Sequence, residues 1–355
     1  MKKGIILLLT LVLGSVTVLQ VDAQSGKVRT ENEKDVKKKD VQKIEDETVQ
    51  GETIKIETSL VTVPITVRDK KTGGIYQGLK ASNFAVYEDG VKQEIVNFAA
   101  TEAPFTLVLL LEFSRQITLF RNEIINPAGL FVTRFVRPKD QVAIVAYDIK
   151  PAVLNDFTDD PAVLSGSIGI LIRNLPAWSE SNLFDALKFV IQGGKLDGVE
   201  YGGIQELQGN AAILLISSGL DTFSKINYSQ ALKLVENAGI PIYSIGIGNL
   251  FFKIYEDRMA PEQRLTWLQA ANQLRSFSQL SGGAYFPVTF QGELPTTLEA
   301  ITMLLRSQYT LAYSPTNTRR QGKKRKIEVH VDIDGDGQPD NKRLILTYRQ
   351  SYQER

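Results

Sequence analysis

Two short apolar runs constrain the fold of this chain more than any other feature. LVLLL, at Leu107–Leu111, has five consecutive apolar residues, and NAAILLISSG repeats the pattern about a hundred residues later. An unbroken apolar run of this length, bounded by polar residues, reads as a strand buried on both faces, as in a parallel sheet. The first run ends in Glu112, Ser114 and Gln116, spaced two apart. In extended chain that spacing points all three side chains the same way, so a carboxylate, a hydroxyl and an amide gather at one strand tip.

Around these runs, strand-like and helix-like segments alternate. PFTLVLLLEF, QVAIVAYD, NAAILLISSG and PIYSIGIG read as strands. Residues 119–136, 161–175, 182–191, 229–238, 261–280 and 294–306 read as helices, and Gly239 and Gly282-Gly283 serve as terminators. The alternation predicts an α/β domain with a doubly wound, mostly parallel, Rossmann-like sheet over residues 104–307. Ligands of such sheets bind beyond the carboxyl ends of the strands. Three hydroxyl-rich loops fall there: EFSRQ, SESNLFDAL and ISSGLD. They bring Glu112, Ser114, Gln116, Ser181, Ser218 and Asp221 toward one spot, an oxygen set that suits Mg²⁺, Ca²⁺ or Mn²⁺ rather than zinc or copper.

The flanks read as β structure. VTVPITVRD alternates, and FAVYEDGVKQEIVNF carries the Asp89-Gly90 signal of a tight hairpin. Residues 58–100 are therefore an N-terminal β unit. YTLAYSP, KRKIEVHVDID and NKRLILTYR make residues 308–355 a C-terminal set, the last two joined as a hairpin by an acidic loop. Both ends are expected to pack together as one antiparallel β unit flanking the α/β domain. Residues 1–23 have the basic end, apolar stretch and small-x-small cleavage pattern of a secretory signal. Residues 24–57 are a charged linker of both signs. No later segment is long and apolar enough to span a bilayer. The mature chain is expected to be exported, periplasmic or extracellular, with no transmembrane segment.

Composition narrows the chemistry. The chain has no cysteine and one histidine, His330, and its formal net charge is +1. Thiol chemistry is excluded, His-dependent acid–base catalysis is disfavoured, and nothing in the charge calls for nucleic acid. There is no Gly-x-Ser-x-Gly elbow, P-loop or Gly-x-Gly-x-x-Gly after an early strand.

The three loops, in this order and strand context, resemble those of von Willebrand factor type A domains. The flanking β segments are similar to those of exported bacterial proteins of that kind common in acidobacteria. The resemblance implies a non-enzymatic module that binds a protein partner through a metal-ion-dependent adhesion site. That site has Asp-x-Ser-x-Ser in the first loop, Thr in the second and Asp in the third. Here Glu112 stands for the aspartate, Ser114 matches, Gln116 replaces the second serine, Ser181 replaces the threonine, and Ser218 stands for the third-loop aspartate. Asp221 follows three residues later, and Asp185 matches a residue near the second loop that is expected to support the helix start rather than touch metal. Glu for Asp, a neutral amide and a lost carboxylate all weaken Mg²⁺ binding, because Mg²⁺ tolerates little geometric error. The reading is a degenerate site where Mg²⁺ is not expected. The alternative is an envelope structural or assembly scaffold that uses the fold without metal.

DIDGDGQPD places Asp332, Asp334, Asp336 and Asp340 at positions one, three, five and nine of an EF-hand-like loop. Gly337 is at six, and Gln338 can offer a backbone carbonyl at seven. Arg343 occupies position twelve, where the bidentate Glu of a full EF-hand would be. The run resembles the shorter calcium loops of thrombospondin type 3 and dockerin-like repeats and makes Ca²⁺ a candidate ligand. The other reading is an acidic turn, since Asp and Gly favour turns anyway.

Overall fold

The structure, a computed structural model, describes residues 60–100, 104–207, 210–319 and 322–354. The expected export signal and charged linker lie outside these residues. In chain order the elements begin with β1 (Val61–Asp69), β2 (Phe84–Glu88), β3 (Val91–Gln93) and β4 (Ile95–Ala99). The middle of the chain forms β5 (Thr106–Glu112), α1 (Asn122–Arg134), β6 (Gln141–Tyr147), β7 (Pro151–Thr158), α2 (Pro161–Arg173) and α3 (Leu183–Gln192). It continues through β8 (Gly193–Leu196), β9 (Val199–Gly202), β10 (Ala211–Ser217), α4 (Tyr228–Ala238), β11 (Ile242–Gly246) and α5 (Gly248–Tyr255). Then come α6 (Pro261–Ser281), β12 (Tyr285–Pro287) and α7 (Leu294–Arg306). The chain closes with β13 (Tyr309–Tyr313), β14 (Lys324–Val331), β15 (Leu344–Thr347) and β16 (Ser351–Gln353).

The central sheet runs β12-β11-β10-β5-β6-β7, parallel except for β7 at one edge. The apolar run of β5 serves two cores at once. Leu107, Leu109 and Leu111 pack with α1, α2 and α7, while Val108 and Leu110 pack with α3, α4 and α6. Each such side chain contributes roughly 1.5–3 kcal/mol by leaving water. From β5 the chain winds to β6 on one side, and from β10 to β11 and β12 on the other. The strand order therefore reverses between β5 and β10, and the crevice beyond their carboxyl ends is the expected ligand position. The doubly wound, mostly parallel sheet read from the sequence is the fold observed.

The two ends of the described chain build a β sandwich with sheets β15-β1-β13-β4 and β16-β14-β2-β3. Its core holds Val63, Ile65, Val86, Leu311, Tyr313, Ile327 and Val329. Asp89 and Gly90 adopt φ of 48° and 83°, the tight turn expected between β2 and β3. The C-terminal strands differ from expectation. β14 pairs with β2 and β16, whereas β15 pairs with β1 in the opposite sheet. The acidic loop is thus a sandwich corner rather than a hairpin turn, and both strands still alternate because each covers the same core.

Two further elements were not expected. β8 and β9 form a hairpin turned at Asp197-Gly198, with φ of 47° and 88°. α5 follows β11 directly, with no side-chain cap to announce it. At the opposite end of the domain, Gly239 and Gly282 close α4 and α6 in the left-handed region, at φ 68° and 81°. Arg349 fills the space beside them. A Cβ on Gly239 would lie 2.6 Å from its Nη1, and one on Gly282 would lie 2.5 Å from its backbone nitrogen. No helix of the described residues is long and apolar enough to cross a membrane.

Candidate functional site at the strand tips

Glu112 ends β5, Ser217 ends β10, and Ser218 follows it, so all three stand at the reversal of strand order. Glu112 is fully buried. One carboxylate oxygen accepts from Ser218 N–H at 2.7 Å, Ser218 Oγ at 2.8 Å and Ser217 Oγ at 2.9 Å. The other accepts from Ser114 Oγ at 3.2 Å. Burial raises the Glu112 pKa against the opposing pull of these donors. Tyr147, the last residue of β6, shares a hydrogen bond of 2.9 Å with Ser217 Oγ. Burial, followed by the nearby Glu112 carboxylate, holds its phenol well above the ordinary range. Ser181 is buried and interacts with the Tyr147 phenol, while its Oγ donates to Leu220 O at 3.2 Å.

Of the six residues expected at the strand tip, the fold therefore gathers Glu112, Ser114 and Ser218 directly, and Ser181 through Tyr147. Gln116 is exposed on a short 3-10 helix, and no hydrogen bond joins it to the cluster among the described residues. Asp221 turns to the start of α3, accepting from Phe184 N–H at 3.0 Å and Ser224 Oγ at 2.6 Å. Its pKa is raised by burial. Asp185 accepts from Lys225 N–H at 2.9 Å, a support between the second and third loops. The cluster offers a cation the serine hydroxyls and one carboxylate, whose two oxygens are already engaged by hydroxyl and N–H donors. As placed, it presents Mg²⁺ with a single charged ligand, short of the near-ideal octahedral oxygen ligation that ion needs.

The residue that ties the loops together was not singled out in the sequence. Buried Asn182 donates to Ile149 O at 2.9 Å and Phe223 O at 3.3 Å, and accepts from Phe223 N–H at 3.0 Å. Arg115 adds a second tie, its N–H to Trp178 O at 2.8 Å and its Nε to Pro176 O at 3.1 Å. The loops held in this way carry Leu119, Leu175, Trp178 and Phe223, whose exposures are 78%, 73%, 53% and 70%. The legible signal was an aromatic residue inside each of two polar loops, WSES and DTFSK. These four large apolar side chains are exposed among polar ones such as Gln116, Ser179 and Lys225, and the buried polar groups beneath them hydrogen-bond to one another.

At the sandwich corner, Asp332, Asp334 and Asp340 each present a carboxylate oxygen within 4.8 Å of the others. Asp332 holds the turn by accepting from Gly335 N–H and Gly337 N–H, both at 2.8 Å. Asp340 accepts from Ile333 N–H at 2.9 Å. That bond is the largest cause of its lowered pKa. Arg343 reaches Asp340 at 2.8 Å and Asp334 at 3.4 Å. Asp336 and Gln338 are exposed, and Asp336 accepts from Gln338 N–H at 2.7 Å rather than joining the carboxylate trio.

No family model and no curated protein matches this sequence. Among solved structures, the chain is similar to the vWF domain of the type V pili tip protein Mfa5 from Porphyromonas gingivalis. That match has 14% identity, covers 58% of this chain and 95% of that one, and has a TM-score of 0.40. It is also similar to proximal thread matrix protein 1 from the mussel byssus, with 13% identity, 62% and 51% coverage and a TM-score of 0.42. The chain thus spans about half the length of the mussel protein. A third similar structure is an aerotolerance-related membrane protein from Bacteroides fragilis, with 14% identity, 57% and 98% coverage and a TM-score of 0.39. One structure of the mussel protein has a zinc-occupied MIDAS motif.

Proposed function

We propose that this chain is an exported, non-enzymatic protein-interaction module of the von Willebrand type A kind. It binds its partner through the carboxyl-end face of the parallel sheet, with apolar side chains in place of a bound cation. The observation that carries this reading is the closure of Glu112 by Ser114, Ser217 and Ser218. A carboxylate engaged on both oxygens and buried from solvent is a poor cation ligand and a poor catalytic base. Large apolar side chains exposed on loops that are themselves fixed are the usual anchors of protein recognition, since little ordering entropy is lost on docking. The composition supports the non-enzymatic part, with no cysteine in the chain. His330, its one histidine, packs in a tilted ring contact with Tyr87 in the sandwich, at 4.6 Å between ring centroids.

Pull-down from the exported fraction of the source cells tests this reading. The wild type and the Trp178→Ala/Phe223→Ala double variant are each used in Mg²⁺ and in EDTA. A fixed partner retained in EDTA and lost with the double variant is expected. A partner lost in EDTA but retained by the double variant would contradict the reading.

The Asp332, Asp334 and Asp340 trio is the second ligand site in this reading, a Ca²⁺ loop with Asp336 and Gln338 on its exposed side. Its geometry supports a hard cation of modest affinity, with the Arg343 guanidinium as the competing positive charge.

A further inference from the structure

Helix α2 has a face with no partner among the described residues. Its sequence, PAVLSGSIGILIR, has no charged side chain before Arg173. A helix that is apolar all round is normally buried. Leu164, Ile168 and Leu171 do enter the core beside α1. Away from that core side, Val163 and Ile170 stand on one stripe of the helix, exposed by 44% and 39%. Gly166 lies at the middle of that stripe, and a Cβ there would meet nothing within 4 Å. Glycine costs a helix interior about 1 kcal/mol relative to alanine, and no contact among the described residues requires its bare backbone.

The charges at the two ends of the helix are opposite. Asp159 and Asp160 stand exposed at its start, where Asp160 caps the helix by accepting from Ala162 N–H at 2.8 Å. Arg173 is exposed at its end. None of the three is in an ion pair among the described residues. A partner for this face must therefore be apolar in the middle, basic where α2 is acidic, and acidic where α2 is basic. The same helix turned through 180° meets all three conditions.

We propose that α2 pairs with α2 of a second copy of this chain, antiparallel across a two-fold axis. Gly166 of each copy lies near the axis, and Val163 of one faces Ile170 of the other. Asp159 and Asp160 of one copy meet Arg173 of the other at both ends. An isologous contact of this kind closes at two subunits. The helix is about 20 Å long, so the contact is small and the dimer forms reversibly with concentration.

The test uses the purified full chain, whose lack of cysteine makes introduced thiols unique. Gly166→Cys is expected to give a disulfide-linked dimer under mild oxidant. Val163→Cys and Ile170→Cys are expected to cross-link when mixed, and poorly when each is alone. In sedimentation the wild type is expected to dimerise with concentration. Ile170→Glu should remain a monomer with an unchanged melting temperature. Arg173→Glu should weaken the dimer about tenfold through like-charge contact, and adding Asp159→Lys should restore it. A wild type that stays monomeric at every concentration would overturn the proposal. So would a dimer indifferent to Ile170→Glu and Arg173→Glu, or cross-linking of Val163→Cys alone as fast as the mixture.

Discussion

Ser218 reaches one oxygen of Glu112 twice, from its backbone N–H at 2.7 Å and from its Oγ at 2.8 Å. The hydroxyl can turn away, but the N–H cannot. Glu112→Gln is therefore expected to fold with nearly native stability. Its amide oxygen can accept from Ser218, and its NH₂ can face Ser114 Oγ. Glu112→Ala leaves that buried N–H without an acceptor and opens a cavity, at a cost of about 2–4 kcal/mol. Urea unfolding of the two variants checks the difference.

The raised pKa of Glu112 fixes the sign of a pH effect. Burial makes the native state hold the proton above the ordinary carboxyl value of 4.5. The contribution to stability is fully present below the unfolded pKa and is lost as pH rises through the native one. The wild type is expected to lose stability with rising pH across that window, and Glu112→Gln to lack this loss. Unfolding midpoints over a pH series measure it.

Asp221 is expected to act as a structural cap rather than a metal ligand. Asp221→Ala removes the acceptor for Phe184 N–H and Ser224 Oγ, and should cost about 1–2 kcal/mol. The loss should be the same in EDTA and in Mg²⁺ when read by thermal unfolding. A Mg²⁺-dependent difference would count against the cap.

Arg343 takes the place where a full EF-hand has its bidentate glutamate. Arg343→Glu is expected to lower the melting temperature in EDTA, because four carboxylates then crowd one corner. Ca²⁺ should raise it above the shift seen in wild type, since ligand bound to the native state alone stabilises in proportion to occupancy. Equal melting temperatures with and without Ca²⁺ would leave the loop as an acidic corner.

The central sheet was legible because unbroken apolar runs can satisfy two cores only in a buried parallel strand. Leu107 to Leu111 do so by alternating between the two faces of the sheet. Gly239 and Gly282 marked helix ends for the reason observed, a left-handed backbone. The pairing of β14 and β15 was not legible, since alternation is the same for a hairpin and for a sandwich corner. The candidate site was half legible. Spacing of two put Glu112 and Ser114 on one side of β5, but spacing within one loop cannot say which donors arrive from another strand. Ser217 and Tyr147 come from β10 and β6, and Asn182 acts through its side-chain amide on two distant loops.

The most direct test is calorimetric titration of Mg²⁺ and Mn²⁺ into the chain carrying Asp332→Ala and Asp334→Ala, which silence the corner loop, with and without Ser114→Ala. The expected result is the same negligible heat in both, because the oxygens of Glu112 are already engaged. Saturable binding at one site that disappears with Ser114→Ala would contradict a closed strand tip and restore a cation to this face.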